Sequence, residues 1–279
     1  MELYHKTSFE TGKLFTKRYS TSFSLGILSF APVYRDPIYA IYGFVRLADE
    51  IVDTFQGFER RTLIEEFCKD TFSALERGIS TNPIIHAFIL TVKKYQISYS
   101  HIHAFLDSMM MDLDKTYYDN REYDSYIFGS AEVVGLMCLK VFVDGNQNKF
   151  DELLLAAQAL GSAFQKVNFL RDIKSDIDER GRIYLPGINT VDGITNETKR
   201  QLEISIEQEF ALALEGIRHL PVGVKLGVYS AYRYYIALFN KIRSSKVEKL
   251  LLERVRVSNY EKCYLLFKSY IRVRALGSW

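Results

Sequence analysis

Between residues 165 and 184 the chain reads QKVNFLRDIKSDIDERGRIY, with Gln165, Asn168, Asp172 and Asp176 recurring at steps of three and four. At about 100° per residue these four fall within an arc of roughly 80°, largely apart from the apolar stripe of Phe164, Val167, Leu170, Ile173 and Ile177. Asp172 and Asp176 repel one another at this spacing, by a few tenths of a kcal/mol, so a cation is expected beside them. An isolated DxxxD is commonly a solvated helix face, and Arg171, Lys174, Glu179 and Arg180 would complete such a mosaic. This one is not isolated. The earlier stretch YGFVRLADEIVD places Tyr42, Arg46, Asp49 and Asp53 at steps of four, three and four, within an arc of roughly 60°. Each carboxylate row has an arginine beside it.

Hard divalent cations take oxygen ligands, and Mg²⁺ is typically held by one or two carboxylates together with water and phosphate oxygens. Asp49, Asp53, Asn168, Asp172 and Asp176 form such a donor set. No histidine or cysteine lies beside either row, which argues against zinc or redox iron, and the Glu-x-x-His pairs of a di-iron bundle are missing at these positions. Two such rows facing each other concentrate negative charge that a metal-bridged diphosphate would neutralise. Arg46 and Arg171 offer planar forks for phosphate oxygens, and Gln165 and the hydroxyls of Ser20, Thr21 and Ser22 add hydrogen bonds. An apolar cavity beyond them would suit a hydrocarbon attached to that diphosphate.

Helices must position these rows. Apolar spacing is helical throughout and no half-buried strand alternation stands out, so the fold class is all-α. The pattern predicts helices over about 7–19, 37–55 with Asp36 as N-cap, 58–77, 83–96, 99–114, 149–178, 197–219 behind Thr195, a stretch after Pro221, and 260–275. YSTSFSLG between the first two supplies hydroxyls and a glycine. Met109, Met110 and Met111 read as core filler, and Asp107, Asp112 and Asp114 as surface charge. The small residues Gly129, Ser130, Ala131 and Gly135 imply a kink, close packing or room for a ligand. No linker or repeat divides residues 1–279, which read as one domain.

The net charge of +2 over 279 residues gives no broad basic field, so composition supports neither nucleic-acid binding nor membrane adhesion. Cys68, Cys138 and Cys263 lack any CxxC pair and fit free thiols in a reducing, cytoplasmic setting. MELYHKTSFETGK has no signal-peptide core, and no run of apolar residues is long enough to span a bilayer. Peripheral contact with the inner membrane is left open.

Together, YSTSF, YGFVRLADEIVD, YIFGSAEVVG and QKVNFLRDIKSDIDERGRIYLP resemble the squalene/phytoene synthase family over nearly the whole chain. The resemblance implies an isoprenoid synthase fold, a helical bundle around a central cavity, and a prenyltransferase that condenses two prenyl diphosphates head to head (1'-1). In that family one substrate ionises to an allylic cation, the double bond of the second attacks it, and a cyclopropyl intermediate forms. By motif position, Asp49, Asp53, Asn168, Asp172 and Asp176 would bind a cluster of roughly two or three Mg²⁺ ions. Tyr19, Ser20, Thr21, Ser22, Tyr42, Arg46, Gln165 and Arg171 would contact diphosphate. Tyr126, Ser130 and Val134 would face the cavity, and Tyr235 matches a late-helix tyrosine near the diphosphates. Asp49, Asp53, Asp172, Asp176, Arg171 and Tyr235 form the implied catalytic set.

The leading expectation is a phytoene synthase using two C20 geranylgeranyl diphosphates in carotenoid biosynthesis. The runner-up is a dehydrosqualene or squalene synthase using two C15 farnesyl diphosphates, with NADPH needed only if the product is squalene. A non-catalytic assembly factor of the same fold is a third reading, opposed by the intact carboxylate rows. Three positions depart from the pattern: Glu50 stands where Asp is usual, Glu132 replaces a small residue, and Tyr19 occupies a position often basic. Glu132 is expected to face outward or to pair with a base.

Overall fold

The computed structural model describes residues 1–275, apart from the side chains of Thr21, Ser22, Arg274 and Ala275. Helix α1 (Glu2–Tyr19) leads into α2 (Thr21–Leu28) through a single residue. Ser20 serves both: its N–H donates to Thr16 O at 2.9 Å, while its Oγ accepts the Phe23 N–H at 3.2 Å and caps α2. The hydroxyl-rich stretch, expected only to supply hydroxyls and a glycine, is therefore a helix junction.

Helix α3 (Pro32–Asp53) carries the first carboxylate row and starts a full turn earlier than expected. Pro32 takes a first-turn position where no N–H is needed, and Pro37 is absorbed within the helix, so Asp36 is not its cap. What fixes the earlier start is external. Ala31 N–H donates to Gly223 O at 2.7 Å, and the Arg35 guanidinium donates to the Phe30 and Leu28 carbonyls at 2.8 and 2.9 Å. On its rear face, Ile41, Phe44, Ala48 and Val52 are buried. The Phe44 ring lies parallel to that of Phe88 at 3.8 Å between centroids, and burying such a ring stabilises the fold by about 2–3 kcal/mol. Tyr42, Arg46 and Asp49 are left on the opposite side.

Phe88 belongs to α5 (Pro83–Tyr95), which with α4 (Arg60–Arg77) and α6 (Tyr99–Asp114) backs α3. Next, α7 (Asn120–Ile127) passes through a π-helical turn, Phe128–Glu132, into α8 (Val133–Phe142). Close packing explains the small residues: a Cβ on Gly129 would lie 2.4 Å from Ala104 O. The continuous segment Asn120–Phe142 is long and apolar enough to cross a bilayer, but 61% of its most apolar window is buried inside the protein.

Helix α9 (Gln147–Arg180) carries the second row and, at 34 residues, is about 50 Å long. A Cβ on Gly161 would meet Ala131 O at 2.6 Å, so α9 and the π-helical turn touch backbone to backbone. Gly181 ends the helix with φ +66°, in the left-handed region that glycine adopts at least cost. Helix α10 (Asn196–His219), behind a Thr195 capping box, packs along α9; α11 (Val222–Arg243), the short unexpected α12 (Val247–Leu252), and α13 (Asn259–Tyr270) with its π-helical extension Ile271–Ala275 complete the chain. Among the described residues there is no strand, only a β-bridge from Tyr117 to Ile183.

The packing closes a ring. Helix α3 packs on α8, α8 on α9, α9 on α11, α11 on α2, and α2 back on α3. Helices α3 and α9 stand on opposite sides and do not pack closely along their length. Their carboxylate rows come together at Asp53 and Asp176, which are joined through Arg180.

Candidate active site

On α3, Arg46 lies between the Tyr19 ring and its own row. Its guanidinium carbon sits 4.8 Å from the Tyr19 centroid, Nη1 donates to Asp49, and Nη2 donates to Glu50 Oε2 at 2.5 Å. Glu50 is thus tied to Arg46. Tyr42, one turn earlier, stacks on Phe23 at 4.4 Å, and burial raises its pKa.

On α9, Arg171 grips Asp172 with both arms of its fork, Nε at 2.9 Å and Nη2 at 2.5 Å. Arg254, from the segment after α12, adds its Nε to Asp172 Oδ1 at 2.7 Å. Asn168 Oδ1 accepts the Tyr235 hydroxyl of α11 at 3.1 Å, and the Tyr235 ring lies on Phe164 at 3.8 Å. Gln165 is half-buried on the same face.

The two rows meet through Arg180. Its Nε donates to Asp53 Oδ2 at 3.2 Å and its Nη1 to Asp176 Oδ1 at 3.0 Å, so one guanidinium from the end of α9 spans to α3. Arg182 Nη1 holds the other oxygen of Asp53 at 2.9 Å. The positive charge beside these carboxylates is supplied by Arg180 and Arg182.

Asp112 corrects an expectation. Read as surface charge, it is 5% exposed and accepts hydroxyls from Tyr184 at 2.7 Å, Tyr126 at 2.9 Å and Tyr118 at 3.1 Å, with Arg182 Nη1 at 3.6 Å. Arg182 also donates to Tyr184 Oη at 3.0 Å. Asp112 therefore anchors the residues that aim Arg182 at Asp53. Tyr126 sits inside this cluster with its hydroxyl engaged, whereas Ser130 and Val134 are half-buried on the π-helical turn and α8, and the Ser130 Oγ is enclosed without a hydrogen-bond partner. Ser20 is placed at the helix junction; the side chains of Thr21 and Ser22 lie outside the described residues. Glu132 neither faces fully outward nor takes a base: it accepts from the Gln158 amide at 2.9 Å, and burial pushes its pKa up.

Crowding by protein and by like charge marks both rows. Asp49 is pushed up to about 7, first by desolvation and then by Asp53, although water still reaches part of its side chain. Asp176 is likewise raised to about 7, by desolvation outweighing Arg180 and with Asp172 and Asp53 adding to it. Asp112 rises to about 6 because burial outweighs Arg182 and its hydroxyl donors. Carboxylates whose charge is poorly solvated gain from a ligand that neutralises it, a divalent cation as well as a proton, and all the donors are hard oxygens. Among the described residues no three His, Cys, Asp or Glu side chains converge closely enough to cage an ion alone. That suits Mg²⁺, which shares its shell with water and phosphate. The residues fit a metal brought in with its diphosphate.

Arg180, Arg182, Arg254 and Asp112 are the members of this constellation to which the sequence alone assigns no role in the site. Arg182 and Tyr184 lie in RIYLP, the last part of the motif on which the family resemblance rests. Nothing local in MMMDLD marks Asp112, whose partners come from two other segments.

A sequence model described as squalene/phytoene synthase matches residues 16–261. The chain belongs to that family. Squalene/phytoene synthases are prenyltransferases that join prenyl diphosphates head to head, and this chain is an enzyme of that type. It is 26% identical to a phytoene synthase of Arthrospira platensis, over 96% of the chain and 94% of the relative. It is 35% identical to a presqualene diphosphate synthase of Zymomonas mobilis, over 60% of the chain and 56% of the relative. Among solved structures, a dehydrosqualene synthase superposes with a TM-score of 0.80 at 20% identity, covering 97% of this chain and 98% of the other. A squalene synthase of Alicyclobacillus acidocaldarius gives 0.75 at 21% identity, covering 86% and 94%. The all-α isoprenoid synthase fold expected from the motifs is the fold observed.

Proposed function

We propose that the protein is a phytoene synthase, condensing two geranylgeranyl diphosphates through a cyclopropyl diphosphate to phytoene. The observation that carries a two-diphosphate reaction is the pair of carboxylate rows on opposite sides of the helix ring, bridged by Arg180. The choice of the C20 substrate is supported by full-length similarity to phytoene synthases.

In this reading Asp49 and Asp53 on one side and Asn168, Asp172 and Asp176 on the other hold Mg²⁺, which would neutralise charge growing on the departing diphosphate. Arg46 and Arg171 turn from their carboxylates to phosphate oxygens as these arrive, and Arg254 joins them from the α12 side. Breaking the C1–O bond leaves an allylic cation and sends the electron pair out with diphosphate. The double bond of the second substrate attacks that cation, and loss of one proton closes the cyclopropane. Departure of the second diphosphate takes its electron pair and leaves a cation that rearranges to the linear skeleton, and loss of a second proton from that cation gives phytoene. The Phe23 and Phe164 rings, each with one face covered by Tyr42 or Tyr235, would offer their other face as π-electron density to the cation without a nucleophilic atom to trap it.

A second reading, condensation of two farnesyl diphosphates, is favoured by the dehydrosqualene synthase superposition and by the presqualene diphosphate synthase similarity. One experiment separates them. The purified protein is incubated with Mg²⁺ and each diphosphate, with and without NADPH, and the product is identified by mass. Phytoene from the C20 substrate is expected; turnover of the C15 substrate alone overturns the phytoene reading, and arrest at a cyclopropyl diphosphate would assign only the first half-reaction.

A further inference from the structure

Helix α13 and its extension turn an apolar face outward. Tyr260, Cys263, Tyr264, Phe267, Tyr270 and Ile271 fall within an arc of about 120° that holds no charged position from 260 to 273, and Lys268 from its edge lays its Nζ 4.6 Å over the Tyr264 ring. On that arc Tyr260 is 91% exposed, Phe267 61%, Tyr264 and Tyr270 54% each and Ile271 39%. The opposite face, with Leu265 and Ser269 buried, packs on α11. Solitary exposed apolar residues are ordinary, but five large ones on one helix face are not.

Charge decides between occupants. Residues 259–275 carry Lys262, Lys268, Arg272 and Arg274 against one acid, Glu261, which Lys241 already pairs at 2.5 Å. The local excess is larger than the +2 of the whole chain. A second copy docking face to face would bring two basic flanks together. An anionic lipid surface attracts them, and tyrosine and phenylalanine on an amphipathic helix with lysine and arginine flanks suit the boundary between headgroups and acyl chains.

Position agrees with the sign. Arg254, on Asp172, lies five residues before Asn259, and Lys262 stands over the ring of Tyr234, the neighbour of Tyr235. We propose that the outward face of α13 docks on an anionic membrane surface, on the side of the protein where Arg254 reaches Asp172 and Lys262 reaches Tyr234. Resting on the function proposed above, this gives a headgroup-free hydrocarbon product an apolar phase to leave into.

The test is co-sedimentation of the full chain with vesicles of phosphatidylcholine alone or with 30% phosphatidylglycerol (about one anionic lipid in three), for wild type and Tyr264→Ser/Phe267→Ser. Wild type is expected to bind the anionic vesicles at least 10-fold better than the neutral ones, and the double variant to lose at least 10-fold, at an unchanged melting temperature. A Lys268→Glu variant tests the charge separately, with an expected loss of several-fold on anionic vesicles only. Absence of wild-type binding, equal binding by the double variant, or a dimer that the variant dissociates would each overturn the proposal. Hydrocarbon formation in detergent micelles reads the catalytic proposal apart from docking: failure there by wild type sinks the reaction and leaves the vesicle result standing.

Discussion

Asp53 and Asp176 share one guanidinium. Each sits on a different side of the helix ring, and Arg180 donates to both, at 3.2 and 3.0 Å. On the function proposed above, that arginine would hold the place of a cation: it offsets the repulsion of two carboxylates that a metal-bound diphosphate would otherwise relieve. Replacing it exposes the repulsion. Arg180→Gln is expected to lower the metal-free stability by about 1–2 kcal/mol, since both pairs are only partly buried. Thermal melts check this, and added Mg²⁺ with inorganic pyrophosphate should recover most of the loss. An unchanged metal-free melting temperature would show that the bridge contributes nothing.

Asp49→Asn and Asp172→Asn test the rows themselves. Asparagine keeps the shape and an oxygen but removes the charge a divalent ion requires, so each variant should lose about 100-fold or more in turnover. Far-UV circular dichroism should stay unchanged, because both side chains face the ring interior rather than the packed core. Wild-type rates in both variants would remove the metal assignment.

Asp112 gives a pH signature separate from the metal. Its folded pKa of about 6 lies above the ordinary carboxylate value of 3.8. A raised pKa means the native state binds the proton more tightly than the unfolded chain. The contribution is therefore fully present below pH 3.8 and is lost as pH rises through about 6. In Asp112→Asn this titration is gone. Relative to that variant, the wild type should lose stability between pH 4 and pH 7, by an amount on the order of 1–3 kcal/mol, measured by denaturant melts in EDTA. A difference that is flat with pH would mean Asp112 titrates normally despite its burial.

The helices were readable because their apolar spacing is regular, and α6 falls on the expected residues. Both carboxylate rows were readable for the same reason, since a helix converts spacing into a face. What escaped was set by contacts between segments. The start of α3 depends on Gly223, far along the chain, and Asp112 becomes a buried anchor only because Tyr118, Tyr126 and Tyr184 are brought around it. Nothing on its own helix distinguishes Arg180 from an ordinary exposed basic residue. Only the position of α3 across the ring turns it into a bridge.

Tyr235 offers the last test, because its two contacts can be separated. The ring stacks on Phe164, and the hydroxyl alone donates to Asn168. Tyr235→Phe keeps the stack and frees the asparagine amide, so the fold should be nearly as stable, within about 1 kcal/mol. If the hydroxyl orients Asn168 Oδ1 as a metal donor, the variant should need several-fold more Mg²⁺ for half-maximal turnover. Its maximal rate should fall by about 10-fold or less, since the other donors of the row are intact. Tyr235→Leu removes the stack as well and should in addition lower the rate at saturating Mg²⁺. Identical Mg²⁺ dependence in wild type and Tyr235→Phe would reduce Tyr235 to a packing residue on α11.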